Sequence, residues 1–168
     1  MTLPPSPRRR KKRLVRVGEI PDDLLVVIRA MPADRVKGIA EMVDSAILSA
    51  GRYVVEGEDE IRELLYGVSV FAQREGQELI DVLYRFPAAP MFVAATVGVI
   101  RRRGFQVLPT GHNTDHFDVQ LISRVTEADL PPAENDVRTA VNRLLEAAGD
   151  MRPNPFYAGS PPMDLEEE

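Results

Sequence analysis

The segment from residue 98 to residue 123, GVIRRRGFQVLPTGHNTDHFDVQLIS, constrains the fold more than any other part of this chain. Gly104 ends an apolar segment, and residues 105–109 form a short apolar run of strand length. After a polar turn at 110–115, residues 116–123 alternate between polar and apolar side chains, which is the period of a β-strand. A short connection between two strands closes an antiparallel hairpin. The sequence therefore predicts a sheet that contains such a hairpin.

Apolar patterning elsewhere predicts the remaining elements of an α+β or α/β domain. The unbroken apolar run at 24–28 is typical of a central strand covered on both faces. Helical spacing predicts a C-terminal helix over 134–148, which Gly149 ends. We expect a single mixed sheet of about five strands with helices packed on it, ending in the antiparallel hairpin and this helix. The other predicted strands are 53–56 and 66–72, and the other predicted helices are 34–50, a brief one from 57 through 65, 77–86 and 91–100.

Composition divides the chain into one globular domain and two charged ends. A length of 168 residues suits a single domain with its own core. Residues 1–13 combine prolines with a basic run and offer almost nothing to bury, which predicts a disordered basic arm. Residues 150–168 are rich in proline and end in an acidic cluster, which predicts an extended tail. The globular domain is expected to occupy residues 14–149.

The composition also excludes several kinds of chemistry and location. The chain has no cysteine, which rules out disulfides, thiol catalysis and thiolate metal sites. It contains no apolar run near the roughly 20 residues that span a bilayer. Its basic N-terminal segment lacks the apolar region of a secretory signal. We therefore expect a cytoplasmic protein without a membrane partner.

The hairpin carries the strongest candidate site. Side chains alternate along a strand, so Phe117 faces the core while His116, Asp118 and Gln120 share the opposite face. An imidazole beside a carboxylate suits general base catalysis, because the carboxylate orients the ring and stabilises its cation. The favoured interpretation of this polar face is the solvated outer surface of an antiparallel sheet, and the alternative is the floor of a cleft.

Other polar residues extend the catalytic hypothesis without adding a metal or cofactor site. Arg29 ends the first apolar strand, where a buried guanidinium needs a carboxylate or phosphate partner. Ser69 lies in a strand predicted to be buried, where a small hydroxyl more often bonds a carbonyl than attacks a substrate. His112 and His116 lie in or beside a turn rather than on a helix, and nothing completes a zinc shell around them. No glycine-rich phosphate loop is present either. Because the histidine set is incomplete and this loop is absent, we expect neither a metal nor a cofactor.

The basic arm is a different kind of signal. Its unbroken run of cations attracts phosphates, and the release of counterions makes such binding strongly dependent on salt. No aromatic residue is interleaved for base stacking, so we expect non-specific contact with nucleic acid rather than sequence recognition. The alternative is an arm that engages no anion, or one that neutralises the acidic tail. The six cations are Arg8, Arg9, Arg10, Lys11, Lys12 and Arg13.

Two resemblances bear on these residues. The segments YGVSVFA, RRRGFQVLPTG and DHFDVQL, between Leu24 and Leu121, resemble a set of small bacterial α/β proteins without a known activity. Arg29 in VVIRAMP and Ser69 in GVSVF resemble, respectively, the arginine at the end of the first core strand and the serine motif on a later strand of the ADP-ribosyltransferase fold. The chain departs from that fold, because it has neither a serine-threonine-serine run nor a catalytic glutamate on a final strand. The resemblance implies an inactive or partner-binding relative as readily as an enzyme.

Two functions remain open from the sequence. The first is an interaction or regulatory module that acts through a protein partner, since charged ends around a folded core are more typical of an interaction device than of an enzyme. The alternative is an enzyme directed at a nucleotide or phosphodiester, ADP-ribosyltransferase-like or nuclease-like, with Arg29, His116 and Asp118 around one pocket. Convergence of these three side chains in one concave pocket favours the enzyme, and their separation favours the module.

Overall fold

A computed structural model describes residues 12–30, 35–48, 51–59, 64–111, 113–124 and 134–157. Within these ranges the chain forms eight strands and four helices, which confirms the expected α+β class. None of the described helices is long and apolar enough to cross a bilayer. In chain order the elements are β1 Lys12–Val15, β2 Leu25–Ala30, α1 Arg35–Leu48, β3 Gly51–Val55, β4 Leu64–Ala72, α2 Leu79–Leu83, β5 Met91–Thr96, α3 Val97–Arg102, β6 Gln106–Leu108, β7 His116–Arg124, α4 Glu134–Ala148 and β8 Arg152–Pro153.

The sheet is organised around β4, which pairs with three other strands. One edge of β4 pairs with β7 over residues 64–71. The other edge pairs with β3 at its start and with β2 over residues 70–72. Beyond these, β2 pairs with β5 and β5 with β8, while β7 pairs with β6 in the predicted hairpin. All of these pairs are antiparallel, and the sheet ends in a parallel pair of β1 with β3.

Five of these strands close into a small barrel. The carbonyl of Pro109, just after β6, accepts a hydrogen bond from the Arg16 amide at 2.6 Å, and the Gly111 amide donates to the Leu14 carbonyl at 2.9 Å. These bonds join β1 to the end of β6, so that β1, β3, β4, β7 and β6 enclose an interior. The register between β4 and β7 shifts after Tyr66, and such a bulge adds the local twist that closure requires. One face of β7 therefore points into the barrel and the other toward the helices.

The main core lies between the sheet and the helices α1 and α4. Phe117, Val119 and Leu121 of β7 pack into this core, as their alternation predicts. Val43 of α1 is fully buried against the same face. A second, smaller core lies on the opposite face of β2 and β5, where α2 covers it. The C-terminal helix α4 buries Val137, Val141, Leu144 and Leu145, as its spacing predicts, and also Ala140. Ala148, predicted to face inward as well, is partly buried against the same core.

The segment predicted as a helix over 91–100 is a strand followed by a helix. β5 lies between β2 and β8, and α3 begins only at Val97. Thr96 is the N-cap of α3, because its Oγ1 accepts a hydrogen bond from the Val99 amide at 3.3 Å. The helical prediction was wrong for residues 91–96, since a short apolar run satisfies the patterns of a buried strand and of a buried helix equally well. The helix predicted over 77–86 is likewise shortened to α2.

The sheet also has more strands than the five expected, and it extends into both predicted ends. Lys12 and Arg13, assigned from the sequence to a disordered arm, belong to β1. β8 pairs with β5, and Asn154 is buried, although an extended tail was predicted from residue 150. Leu64 and Leu65 begin β4 rather than end a brief helix. Residues 1–11 and 158–168, which hold the rest of the arm and tail, lie outside the described residues.

Candidate functional site

The polar face of the hairpin brings four side chains within hydrogen-bond distance of one another, here named the polar quartet. In the register of β4 and β7, Ser69 lies opposite Asp118. Thr110 Oγ1 lies 2.7 Å from Asp118 Oδ2 and 3.0 Å from His116 Nδ1. His116 Nε2 lies 3.1 Å from Ser69 Oγ, which in turn lies 3.5 Å from Asp118 Oδ1. The quartet, Ser69, Thr110, His116 and Asp118, therefore joins the end of β6 to β4 and β7.

The hydrogen-bonding capacity of each group assigns the protons within the quartet. An ionised carboxylate only accepts, so the Thr110 hydroxyl donates to Asp118, and its oxygen accepts from His116 Nδ1. The Thr110 carbonyl, 3.2 Å from Nδ1, accepts from the same N–H. With a neutral imidazole, Nε2 accepts from the Ser69 hydroxyl, and the one hydroxyl proton of Ser69 is then not shared with Asp118 Oδ1. This assignment is the tautomer in which a histidine acts as a base toward a serine.

The quartet is covered by the barrel and does not form a solvated surface. Asp118 has no exposed surface, and Thr110 and Gln120 are also buried. The expectation of a wet outer face was wrong, because β1 and β3 close over this side of the hairpin and pack Val15 and Tyr53 there. His116 and Ser69 are half-buried, so they keep part of their access to solvent.

Arg29 lies on the same face of the sheet and shares the Phe71 ring with His116. Its Cζ lies 5.2 Å from the ring centroid of Phe71 and 5.2 Å from that of Phe86. The Phe71 and His116 rings meet edge to face with 5.2 Å between their centroids. The two phenylalanine rings displace water from the guanidinium, and this burial lowers the pKa of Arg29 although the residue as a whole is exposed. The described residues contain no carboxylate partner for Arg29.

The structure thus brings together only part of the predicted catalytic set. Arg29 and His116 flank one aromatic ring, while Asp118 is buried, accepts from Thr110 and lies 3.5 Å from Ser69 Oγ. A groove of about 470 Å³ lies elsewhere, between β1 and β6, and none of the three predicted residues lines it. Ser69, for which the sequence favoured a structural role over a chemical one, is the direct neighbour of His116 Nε2.

An ion-pair cluster that the sequence did not indicate fixes the tip of the hairpin. The Asp115 carboxylate is nearly buried and pairs with Arg85 at 3.1 Å and with Arg74. Arg74 also donates to Thr114 Oγ1 at 2.9 Å, and the Ala72 amide donates to the Asp115 carbonyl at 2.8 Å. The cluster ties the hairpin to the segments on both sides of α2, through Arg74 before the helix and Arg85 after it, and thereby positions His116. No local spacing signals it, because the arginines are 41 and 30 residues away in sequence.

A second unpredicted feature is a surface rich in arginine and aromatic residues around α2. Ile80 and Tyr84 lie four residues apart and are 49% and 68% exposed. Phe156 packs edge-on against Tyr84, with 5.4 Å between the ring centroids. Arg152 places its Cζ 4.8 Å from the centroid of Phe92, and Arg29 borders the same small core through Phe71 and Phe86. The surface, here named the α2 face, consists of Arg29, Ile80, Tyr84, Arg152 and Phe156.

The remaining predicted site residues fall largely outside the described ranges. Of the six cations proposed to contact nucleic acid, Lys12 and Arg13 lie in β1, opposite Arg52 and Tyr53 of β3, and the other four are not described. His112 is not described either. The described residues contain no group of three or more histidine, aspartate or glutamate side chains arranged to hold a metal ion.

Comparison of the chain with protein-family models, with curated proteins and with solved structures finds no match. The two resemblances noted for the sequence gain no support from these comparisons. A function for this fold must therefore follow from its residues and their geometry.

Proposed function

We propose that this protein is an interaction module that binds an acidic, partly apolar segment of a protein partner on the α2 face. The observation that carries the proposal is the pair Arg29 and Arg152, which stack on phenylalanine rings and have no carboxylate partner among the described residues. A guanidinium held on an aromatic face keeps its N–H groups available for an oxyanion. Arginine binds carboxylates in a planar, two-point geometry, which gives such a contact its direction.

The composition of the α2 face suits a protein partner. Tyrosine and arginine are enriched among the residues that dominate binding energy at protein interfaces. Tyr84 and Ile80 present apolar surface on the outside of α2, and Phe156 supports the tyrosine ring from the side. Arg85 contributes less to this surface, because Asp115 already neutralises it. In the proposed complex, carboxylates of the partner segment lie near Arg29 and Arg152. An apolar side chain of the same segment packs against Tyr84.

The setting that we propose for this module is the cytoplasm. A chain without cysteine suits a reducing compartment. Fractionation of cells that express the full chain tests this assignment, and recovery of the chain outside the cytoplasmic fraction contradicts it.

Fluorescence anisotropy with two defined peptides tests the binding proposal. One peptide places glutamates around a leucine and a tyrosine, and the other replaces each glutamate by lysine. We expect the full-length protein to bind the acidic peptide and to discriminate against the basic one. Arg152→Gln is expected to weaken binding about ten-fold, since a hydrogen bond to a charged group contributes ~1.5–3 kcal/mol.

Arg138→Gln provides a matched loss of charge away from the α2 face. Arg138 lies on α4, on the other side of the sheet, where it pairs with Glu134 at 3.0 Å. The affinity of the Arg138→Gln protein for the acidic peptide should equal that of the unaltered protein. Equal affinity for both peptides, or full binding by Arg29→Gln and Arg152→Gln, contradicts the proposal. Higher affinity after deletion of residues 158–168 would mean that the chain's own acidic end occupies the face in place of a partner.

The alternative function, an enzyme directed at a nucleotide or phosphodiester, is supported by a different observation. Ser69 Oγ lies 3.1 Å from His116 Nε2, a distance suited to a nucleophile and its base. Arg29, across Phe71 from His116, offers a cation for an anionic substrate. Asp118 is then a positioning residue, since the Thr110 hydroxyl bridges its carboxylate to His116 Nδ1.

Hydrolysis of bis-p-nitrophenyl phosphate tests this alternative. An active protein should lose hydrolysis with Ser69→Ala while its urea unfolding curve stays close to that of the unaltered protein. Asp118→Asn should lower the rate less than Ser69→Ala, because the amide oxygen still accepts from Thr110. If the unaltered protein hydrolyses this substrate no faster than the Ser69→Ala protein does, the enzyme hypothesis is contradicted.

A further inference from the structure

We propose that the groove between β1 and β6 binds a small carboxylate with an apolar body. The groove has a volume of about 470 Å³, within the range of ~300–1,000 Å³ typical of small-molecule sites. Its walls come from the β1–β2 connection, from β6 with the following Pro109, and from Arg101 of α3. No residue of the α2 face or of the polar quartet lines it, so the inference does not depend on the function proposed above.

Arg16 gives this groove a guanidinium that forms no ion pair with a carboxylate of the described residues. Its Nη2 donates to the His116 carbonyl at 2.7 Å, and its Cζ lies 5.4 Å from the ring centroid of Phe117, so the guanidinium is held from two sides. Its Nε is buried without a hydrogen-bond partner, and no carboxylate of the described residues pairs with it. Proteins rarely leave buried donors unpartnered, and they usually match a half-buried arginine with a carboxylate or phosphate. An oxyanion in the groove supplies the missing charge.

The other charges of the groove limit the ligand to one negative charge. Arg101 already has partners, because its Nη1 donates to Asp22 Oδ1 at 2.7 Å and to the Ile20 carbonyl at 2.9 Å. Glu19 also lines the groove, is exposed, and repels further negative charge. One uncompensated guanidinium beside one carboxylate therefore favours a carboxylate ligand over a phosphate, which carries nearly two charges.

The rest of the lining is apolar. Val15 and Ile20 line one side of the groove, and Val107 and Leu108 of β6 line the other, each through the small part of its side chain that the core leaves exposed. A short hydrocarbon chain gains free energy when it leaves water for such a surface, whereas a fully polar ligand does not. The combination of one arginine with aliphatic walls thus selects an aliphatic carboxylate of modest length.

Titration of the full-length protein with hexanoate, followed by NMR, tests this proposal. Hexanamide is the matched probe, since it keeps the hydrocarbon chain and removes the charge. We expect saturable shifts of the Gly18 and Leu108 amides and of the Arg16 Nε–H signal with hexanoate. Affinity for hexanoate should exceed that for hexanamide by about ten-fold or more, because the carboxylate adds charge-assisted hydrogen bonds. Inorganic phosphate should bind more weakly than hexanoate.

Arg16→Gln should lower the affinity for hexanoate about ten-fold, and Arg138→Gln should leave it unchanged. If Arg16→Gln does not fold, the comparison of hexanoate with hexanamide on the unaltered protein decides the question. Equal affinity for the two probes, or shifts at Tyr84 and Arg152 in place of those at the groove, overturns the proposal. Tighter binding of inorganic phosphate overturns the assignment to a carboxylate.

Discussion

At His116, contacts to two hydroxyl groups and one carbonyl meet on a single imidazole, so the side chain has a structural role whatever its chemical role. His116→Ala removes the donor to the buried Thr110 and the acceptor for the half-buried Ser69. Unpaired polar groups in such places cost about 1–3 kcal/mol. We expect a loss of that size in the free energy of unfolding, measured by urea denaturation of the purified variant.

Two neighbouring substitutions calibrate this measurement. Phe117→Ala truncates a side chain of the main core that is 7% exposed, and such changes cost ~3–5 kcal/mol. Gln106→Ala changes an exposed residue of β6 in the same hairpin, where effects usually stay within about ±0.5 kcal/mol. His116→Ala should fall between them. A stability equal to that of Gln106→Ala would show that the quartet contributes nothing to folding.

Sequence alternation was sufficient to divide these residues between two faces. It placed Phe117 in the core and His116 with Asp118 on the other side, and both assignments agree with the register of β7. Alternation does not reveal what covers a face. The cover here comes from Thr110 beyond a turn and from strands β1 and β3, which are distant in sequence. For that reason the polar face was expected to be wet and is instead mostly buried.

The segment after α4 has a structural role that its composition did not predict. Asn154 Nδ2 donates to the carbonyls of Phe86 and Ala89, both at 2.9 Å. The backbone N–H of Asn154 donates to the Pro90 carbonyl at 2.9 Å. Phe156 packs into the small core under α2. Residues 152–157 therefore fix the connection between α2 and β5 and support the α2 face.

A pair of truncated proteins measures the contribution of this segment. The protein ending at residue 149 should melt several degrees below the protein ending at residue 157, since each 1 kcal/mol shifts the melting temperature by ~2–8 °C in domains of this size range. Asn154→Ala in the full chain should reproduce part of that loss, because it removes the buried amide that holds the connection. Differential scanning calorimetry provides the comparison. Equal melting temperatures would place the boundary at residue 149, as the proline content suggests.

The elements that the sequence predicted well are those with long, regular patterns. The C-terminal helix repeats its apolar residues over four turns, and β4 and β7 are nine residues each. β8 has only two residues and β1 has four, which is too short for a period to show. β5 carries six of the ten residues predicted as a helix, and only the Thr96 cap marks where the helix starts. Patterns of side-chain polarity carry less information as elements shorten.

Within the part of the chain that the structure describes, arginines without a carboxylate partner lie at separate places, although the chain has a net charge of −5. Arg29 and Arg152 border the α2 face, and Arg16 lines the groove between β1 and β6. Local charge rather than net charge decides which anions such places attract. Composition alone could not separate them, because strands distant in sequence bring these arginines to their positions.

The N-terminal cations give a prediction at this scale. Deleting residues 1–11 removes Arg8, Arg9, Arg10 and Lys11 and leaves the strand residues Lys12 and Arg13 in β1. We expect weak, sequence-independent binding of the full chain to a 20-base-pair duplex. Each neutralised phosphate contributes about −0.9 to the slope of log affinity against log salt concentration, so the deletion should reduce the magnitude of that slope by up to about 3.6. Fluorescence anisotropy at several salt concentrations gives both slopes, with Arg138→Gln as a matched loss of charge on the folded domain. An unchanged slope after the deletion would mean that a folded surface, and not the basic arm, holds the nucleic acid.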